Sequence, residues 1–123
     1  MVCLVDDDSS TRKSLTRLLE SDGFRVEAFS ESTAFLEHLA IHPMAVVILN
    51  SRESGTGTAL LAQLRAQSPA TCVIFIIAAE DHRTREWVRN EGVFAILVKP
   101  LDDEEFLSAV RRAFPSAQEG KCR

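Results

Sequence analysis

Five times along this chain a short apolar run gives way to a longer stretch with helical spacing, and no other feature narrows its folding options as far. Residues 2–5 are apolar without a break and stop at the acidic triplet Asp6-Asp7-Asp8. Over residues 11–20, Leu15, Leu18 and Leu19 share one helical face with Arg12, Lys13, Arg17 and Glu20 opposite, and Gly23 supplies a stop. Residues 24–29 alternate apolar and polar, the pattern of a half-buried edge strand. Ser30 is read as the cap of a second helix with Glu31 in its first turn. Its stripe is Phe35, Leu36, Leu39 and Ala40, and Pro43 ends it. Residues 45–49, 72–78 and 94–98 read as the remaining strands. The helices after them carry Leu60, Leu61 and Leu64, start at Asp81, and start at an Asp102/Glu105 capping box.

Strands that are apolar throughout are buried on both faces, so the pattern predicts an α/β fold: a (βα)5 parallel sheet with helices on both sides and right-handed crossovers. Pro115 is expected to close the last helix, giving one domain over 1–115 and a tail or the start of a linker over 116–123. A chain of 123 residues can bury such a core without staples. Its formal charge of −4 offers no footprint for nucleic acid or an anionic membrane. No apolar run is long enough to span a bilayer, and no signal-peptide pattern opens the chain. Cys3 and Cys72 fall in strand runs and Cys122 in a polar tail. They are read as free thiols of a reduced, cytoplasmic protein.

In a sheet of this kind function gathers where the carboxyl ends of the strands meet the loops. Those ends carry Asp6-Asp7-Asp8, Asn50, Ile77-Ala78 and Lys99-Pro100. Three adjacent acids need a cation or a basic group among them, and a divalent metal or Lys99 would serve.

With these residues in place, the chain resembles the response-regulator receiver family over nearly its whole length. The resemblance rests on Val5-Asp6-Asp7 followed by Arg12-Lys13-Ser14-Leu15, on the strand ending at Asn50, on Gly57 with Leu60-Leu61, on Gly92, and on Lys99-Pro100. It implies a flavodoxin-like, doubly wound sheet of strand order 2-1-3-4-5 and a role in two-component signal transduction. In the family an acidic pair holds Mg²⁺ and an aspartate ending the third strand accepts phosphate from a histidine kinase. A hydroxyl, an aromatic ring and a lysine then respond to the phosphoryl group. By resemblance the metal pair falls on Asp6 and Asp7, the lysine on Lys99, and Pro100 on a cis-peptide position. The phosphoacceptor position falls on Asn50, the hydroxyl position on Ile77 and the aromatic position on Ile96.

Each departure removes a chemical capacity. A neutral amide cannot form an acyl phosphate, and it leaves the metal pair one anionic ligand short, so Mg²⁺ binding is expected to be weak. Ile77 has no hydroxyl and Ile96 has no ring. The usual Met-Pro after the acceptor is replaced by Arg52-Glu53-Ser54. Arg52 either pairs with Asp6 or Asp7 as an internal counter-ion or is solvated beside Glu53. The expectation is a degenerate receiver without enzymatic activity, acting by protein contact with a histidine kinase or an output domain, or as a homodimer. Its contact faces, by resemblance, are the first and last helices or the fourth helix with the fifth strand. The rivals are a phosphorelay receiver with another acceptor, Ser51 or Asp8, and a small-molecule sensor that reuses the acidic pocket.

His38 and His42 sit four apart without a third metal ligand nearby, His82 reads as a first-turn surface residue, and Gly55-Thr56-Gly57 lacks the context of a nucleotide loop. Trp87, among Arg83, Arg85 and Arg89, is either a partner-contact residue or part of the core.

Overall fold

The apolar runs become five parallel strands: β1 (Val2–Asp6), β2 (Val26–Phe29), β3 (Val46–Asn50), β4 (Cys72–Ile77) and β5 (Ala95–Val98). They lie in the order β2-β1-β3-β4-β5 in the computed structural model, which describes residues 1–50, 54–120 and 122. Between and after them run α1 (Ser9–Ser21), α2 (Ser32–Ile41), α3 (Ser54–Gln67), α4 (His82–Asn90) and α5 (Asp103–Gln118). This is the expected flavodoxin-like, doubly wound fold.

Side chains alternate across each strand, which splits the interior into two layers. Val2, Leu4, Val46, Ile48, Ile74 and Ile76 face α1 and α5, where Leu15, Leu19, Phe106 and Val110 cover them. Cys3, Val5, Val47, Leu49, Val73, Phe75 and Ile77 face Phe35, Leu39, Leu61, Leu64 and Val88 on the other side. β1, β3 and β4 are buried at every position because helices close both faces, whereas β2 at the edge is only partly buried. The register sets Asp6 beside Asn50 and Asn50 beside Ile76, so the carboxyl ends of the three central strands are level.

Two stop and two start signals act as their chemistry suggests. Gly23 and Gly92 follow α1 and α4 at φ of 90° and 73°, in the left-handed region that favours glycine. Asp81 and Asp102 cap α4 and α5 by accepting from the backbone N–H of Thr84 and Glu105.

Other boundaries differ from the sequence expectation. α2 begins at Ser32 behind Glu31, not behind Ser30, because Phe29 packs on Phe35 and His38 and holds the chain extended past Ser30. α1 begins at Ser9, since Asp8 leaves the acidic triplet to act as its cap. Phe24 stacks on Phe114 of α5 with ring centroids 5.5 Å apart, and the second strand starts only at Val26. α5 does not stop at Pro115 but continues to Gln118 with Pro115 inside it, helped by Phe114 and Ala117, which pack on the core. The reading of Cys72 and Cys122 as free thiols is also corrected. The two are joined in a disulfide, their Cα atoms 4.8 Å apart, and Cys3 is the free cysteine. Spacing along a chain carries no information on which residues a last turn folds back against, so this pairing was not readable beforehand.

Candidate functional site at the carboxyl edge of the sheet

Asp6 and Asn50 end adjacent strands, and the pleat turns both side chains into the space above the sheet. Asp6 is 1 % exposed and Asn50 is 5 % exposed. The Asn50 amide nitrogen donates to Asp6 Oδ2 at 3.0 Å, and the Asp8 backbone N–H donates to Asp6 Oδ1 at 3.0 Å. Both carboxylate oxygens are thereby engaged. Burial pushes the Asp6 carboxyl above its ordinary range, with Asp7 and Asp8 adding to that push, while the Asp8 N–H and the Asn50 amide work against it. An acceptor-only carboxylate also fixes the amide's orientation, since the reverse would set oxygen against oxygen. Among the described residues, Asn50 Oδ1 is buried with no hydrogen-bond partner.

Asp7, the next residue, is exposed. It shares with Asn50 the wall of a cavity of about 40 Å³, completed by Val5, Ser30, Ser32, Leu49, Gly57 and Leu60. Ligand pockets generally span several hundred Å³, so this space is small beside them.

Asp8 Oδ2 accepts from the Thr11 N–H at 2.9 Å and from the Thr11 hydroxyl at 2.6 Å, so this acid is committed to the start of α1. Arg12, one turn into α1, reaches back and donates from Nη1 to the Asp6 backbone carbonyl at 2.8 Å. The sequence reading placed Arg12 on a solvated face. Its only early signal was position, four residues after Asp8 and so directly above the strand end. Arg52, the counter-ion sought for the acids, lies outside the described residues, as does Ser51.

Ile77 ends β4 and is 3 % exposed, packed with Val88 and Phe75. Ile96 is half-buried against the same layer. Lys99 follows β5 half-buried, its backbone N–H bonded to the Ile77 carbonyl at 2.9 Å, and the Lys99–Pro100 peptide is cis. Among the described residues no cluster of three or more His, Cys, Asp or Glu side chains is arranged to hold a metal ion. The donor set fits Mg²⁺ poorly: the one buried carboxylate has both oxygens taken, and its neighbour is a neutral amide. His38 and His42 meet in a tilted ring contact at 4.8 Å, with Phe29 beside His38, His82 is exposed at the start of α4, and Trp87 is 38 % exposed on α4. No helix among the described residues is long and apolar enough to cross a membrane.

The pattern of the response regulator receiver domain family matches residues 2–111. The chain is 35 % identical over 120 residues to the DNA-binding transcriptional regulator NtrC of Escherichia coli K12, covering 97 % of this chain and 26 % of that protein. It is 30 % identical over 122 residues to the transcriptional regulatory protein FixJ of Bradyrhizobium diazoefficiens, covering 95 % of this chain and 60 % of that one. It therefore spans about a quarter to three fifths of these relatives. The solution structure of the NtrC receiver domain superposes with a TM-score of 0.83 at 34 % identity, covering 96 % of each chain. With the sheet order, the acidic strand end and these matches together, this chain belongs to the response regulator receiver domain family of two-component signal transduction.

Proposed function

We propose that this receiver works without phosphorylation on aspartate and transmits its signal by protein contact. One observation carries the reading: the side chain that ends β3 is an amide, and it is already bonded to Asp6. An amide has no charge to attack a phosphohistidine and forms no acyl phosphate. Ile77, in the position for a phosphate-binding hydroxyl, is packed as core, and Ile96 offers no ring to rearrange. The rival acceptor Asp8 is occupied in capping α1, which counts against it. The sensor reading is disfavoured by the small volume of the cavity that Asp7 and Asn50 line.

In this reading the domain catalyses nothing, needs no cofactor, and at most binds Mg²⁺ weakly at Asp6 and Asp7. It is cytoplasmic, and its partners are a histidine kinase, an output domain or a second copy of itself. Contact runs through α1 with α5, or through α4 with β5, and not through nucleic acid or a membrane. The test is incubation with acetyl phosphate or with beryllofluoride and Mg²⁺, followed by intact-mass and fluorine NMR measurements. No adduct is expected on the native chain, and Asn50→Asp serves as the control that regains one. A stable phosphoryl or beryllofluoride adduct on the native chain would refute the proposal.

A further inference from the structure

At the opposite edge of the sheet from Asn50, the chain leaves α5 and turns back on itself. Glu119 donates to the Pro115 carbonyl and Gly120 to that of Ala117, and Gly120 adopts φ of 70°. That left-handed residue redirects the backbone toward the first residue of β4. Cys122 is consequently 5 % exposed and lies in the same apolar layer as Cys72, Ala113 and Val110. Gln118, Glu119 and Gly120 are polar or lack a side chain, so the tail has little apolar surface of its own with which to dock. The bond to Cys72 fastens it to the sheet, at a Cα separation of 4.8 Å that is within the range disulfides adopt.

We propose that Cys72 and Cys122 form a reversible thiol–disulfide site that fastens the segment after α5 to the sheet under oxidising conditions and releases it under reducing ones. Two features make the site reversible and specific. A surface hollow of about 390 Å³, lined by Pro69, Ala70, Gly120 and Cys122, brings solvent to the Cys122 side, while Cys72 is fully enclosed. An incoming thiolate thus attacks the Cys122 sulfur and expels the Cys72 thiolate, which takes up a proton. A second thiolate then attacks the incoming sulfur, releases Cys122 as its thiol, and leaves with its partner as a small disulfide. In the forming direction the two cysteine thiols give two electrons and two protons to a low-molecular-weight disulfide such as glutathione disulfide, which becomes two thiols. Cys3 does not compete: it is enclosed in the other layer, and burial pushes its thiol up to about 12.

The site is spatially separate from the acidic pocket. Cys72 begins β4 and Ile77 ends it, so redox state acts on the end of α5 and the tail beyond it rather than on Asp6 and Asn50. Its chemistry is thus independent of how the acidic pocket works.

The native chain, equilibrated with glutathione disulfide or with dithiothreitol, is then unfolded and alkylated with iodoacetamide for intact-mass measurement. One alkylated cysteine, Cys3, is expected after oxidation and three after reduction, with dithiothreitol opening the bond in the folded protein before unfolding. The oxidised form should melt roughly 10 °C above the reduced form, since the bond closes a long loop. Cys122→Ser, a change in the tail that spares the core strand, should abolish both differences and melt like the reduced native chain. Three alkylated cysteines after oxidation would overturn the proposal. So would glutathione adducts or linked dimers in place of the internal bond, or an internal bond that dithiothreitol leaves intact in the folded protein.

Discussion

Replacing the nitrogen of one amide by an oxygen would reverse the electrostatics at the end of β3. Asn50 donates to Asp6, and an aspartate there would set two carboxylates about 3 Å apart in a buried place. Asn50→Asp is therefore expected to lower stability by about 2–4 kcal/mol in buffer containing a chelator. Millimolar Mg²⁺ should restore much of that loss, because the metal binds the folded state alone. Urea denaturation with and without Mg²⁺ checks both, and the native chain should respond little to the metal. Much of this site was legible beforehand, since strand ends with Asp6, Asn50 and Lys99 could be read from periodicity and dipeptides. Arg12 was not, because its place four residues after Asp8 does not tell a side chain that folds back onto a backbone carbonyl from one that points into solvent.

Strands were more legible than helix ends. A strand buried on both faces is apolar at every position, whereas a helix terminus depends on what the neighbouring chain does next. α5 shows this most clearly. Proline in a helix interior removes a hydrogen bond and crowds the carbonyl one turn back, which made Pro115 a reasonable terminus. Packing of Phe114 on Phe24, with Ala117 against the same layer, carries the helix on to Gln118. The helix tolerates this proline at a cost. Pro115→Ala is accordingly expected to raise stability by about 1–3 kcal/mol, by restoring a donor to the Arg111 carbonyl. A higher denaturation midpoint at unchanged slope would bear this out, and an unchanged midpoint would show that the last turn contributes nothing.

Across the whole molecule α5 is tied to distant parts of the chain at more than one point. Its middle is held to the turn after α1 by Arg111, which grips Asp22 through two hydrogen bonds of 2.7 and 2.8 Å and also reaches Glu104 at 2.9 Å. The guanidinium holds the Asp22 carboxyl below the usual carboxylate range. A carboxyl shifted downward stabilises the fold above its ordinary value and loses that contribution as pH falls through the lower, folded value. Carbon-detected NMR titration should find Asp22 low in the native chain and restored to the ordinary range by Arg111→Ala, with a smaller difference at high salt. Sequence alone could not supply this tie, since Asp22 and Arg111 are distant in the chain and are joined only once α1 and α5 share a face of the sheet.

The exposed indole on α4 gives the molecule its own optical reporter. With one tryptophan and no tyrosine, nearly all of its ultraviolet emission originates at Trp87. A partner that covers α4 would shift that emission to the blue without any label, while one that docks on α1 and α5 would leave its colour unchanged. The choice between the two contact faces can thus be read in an unmodified sample.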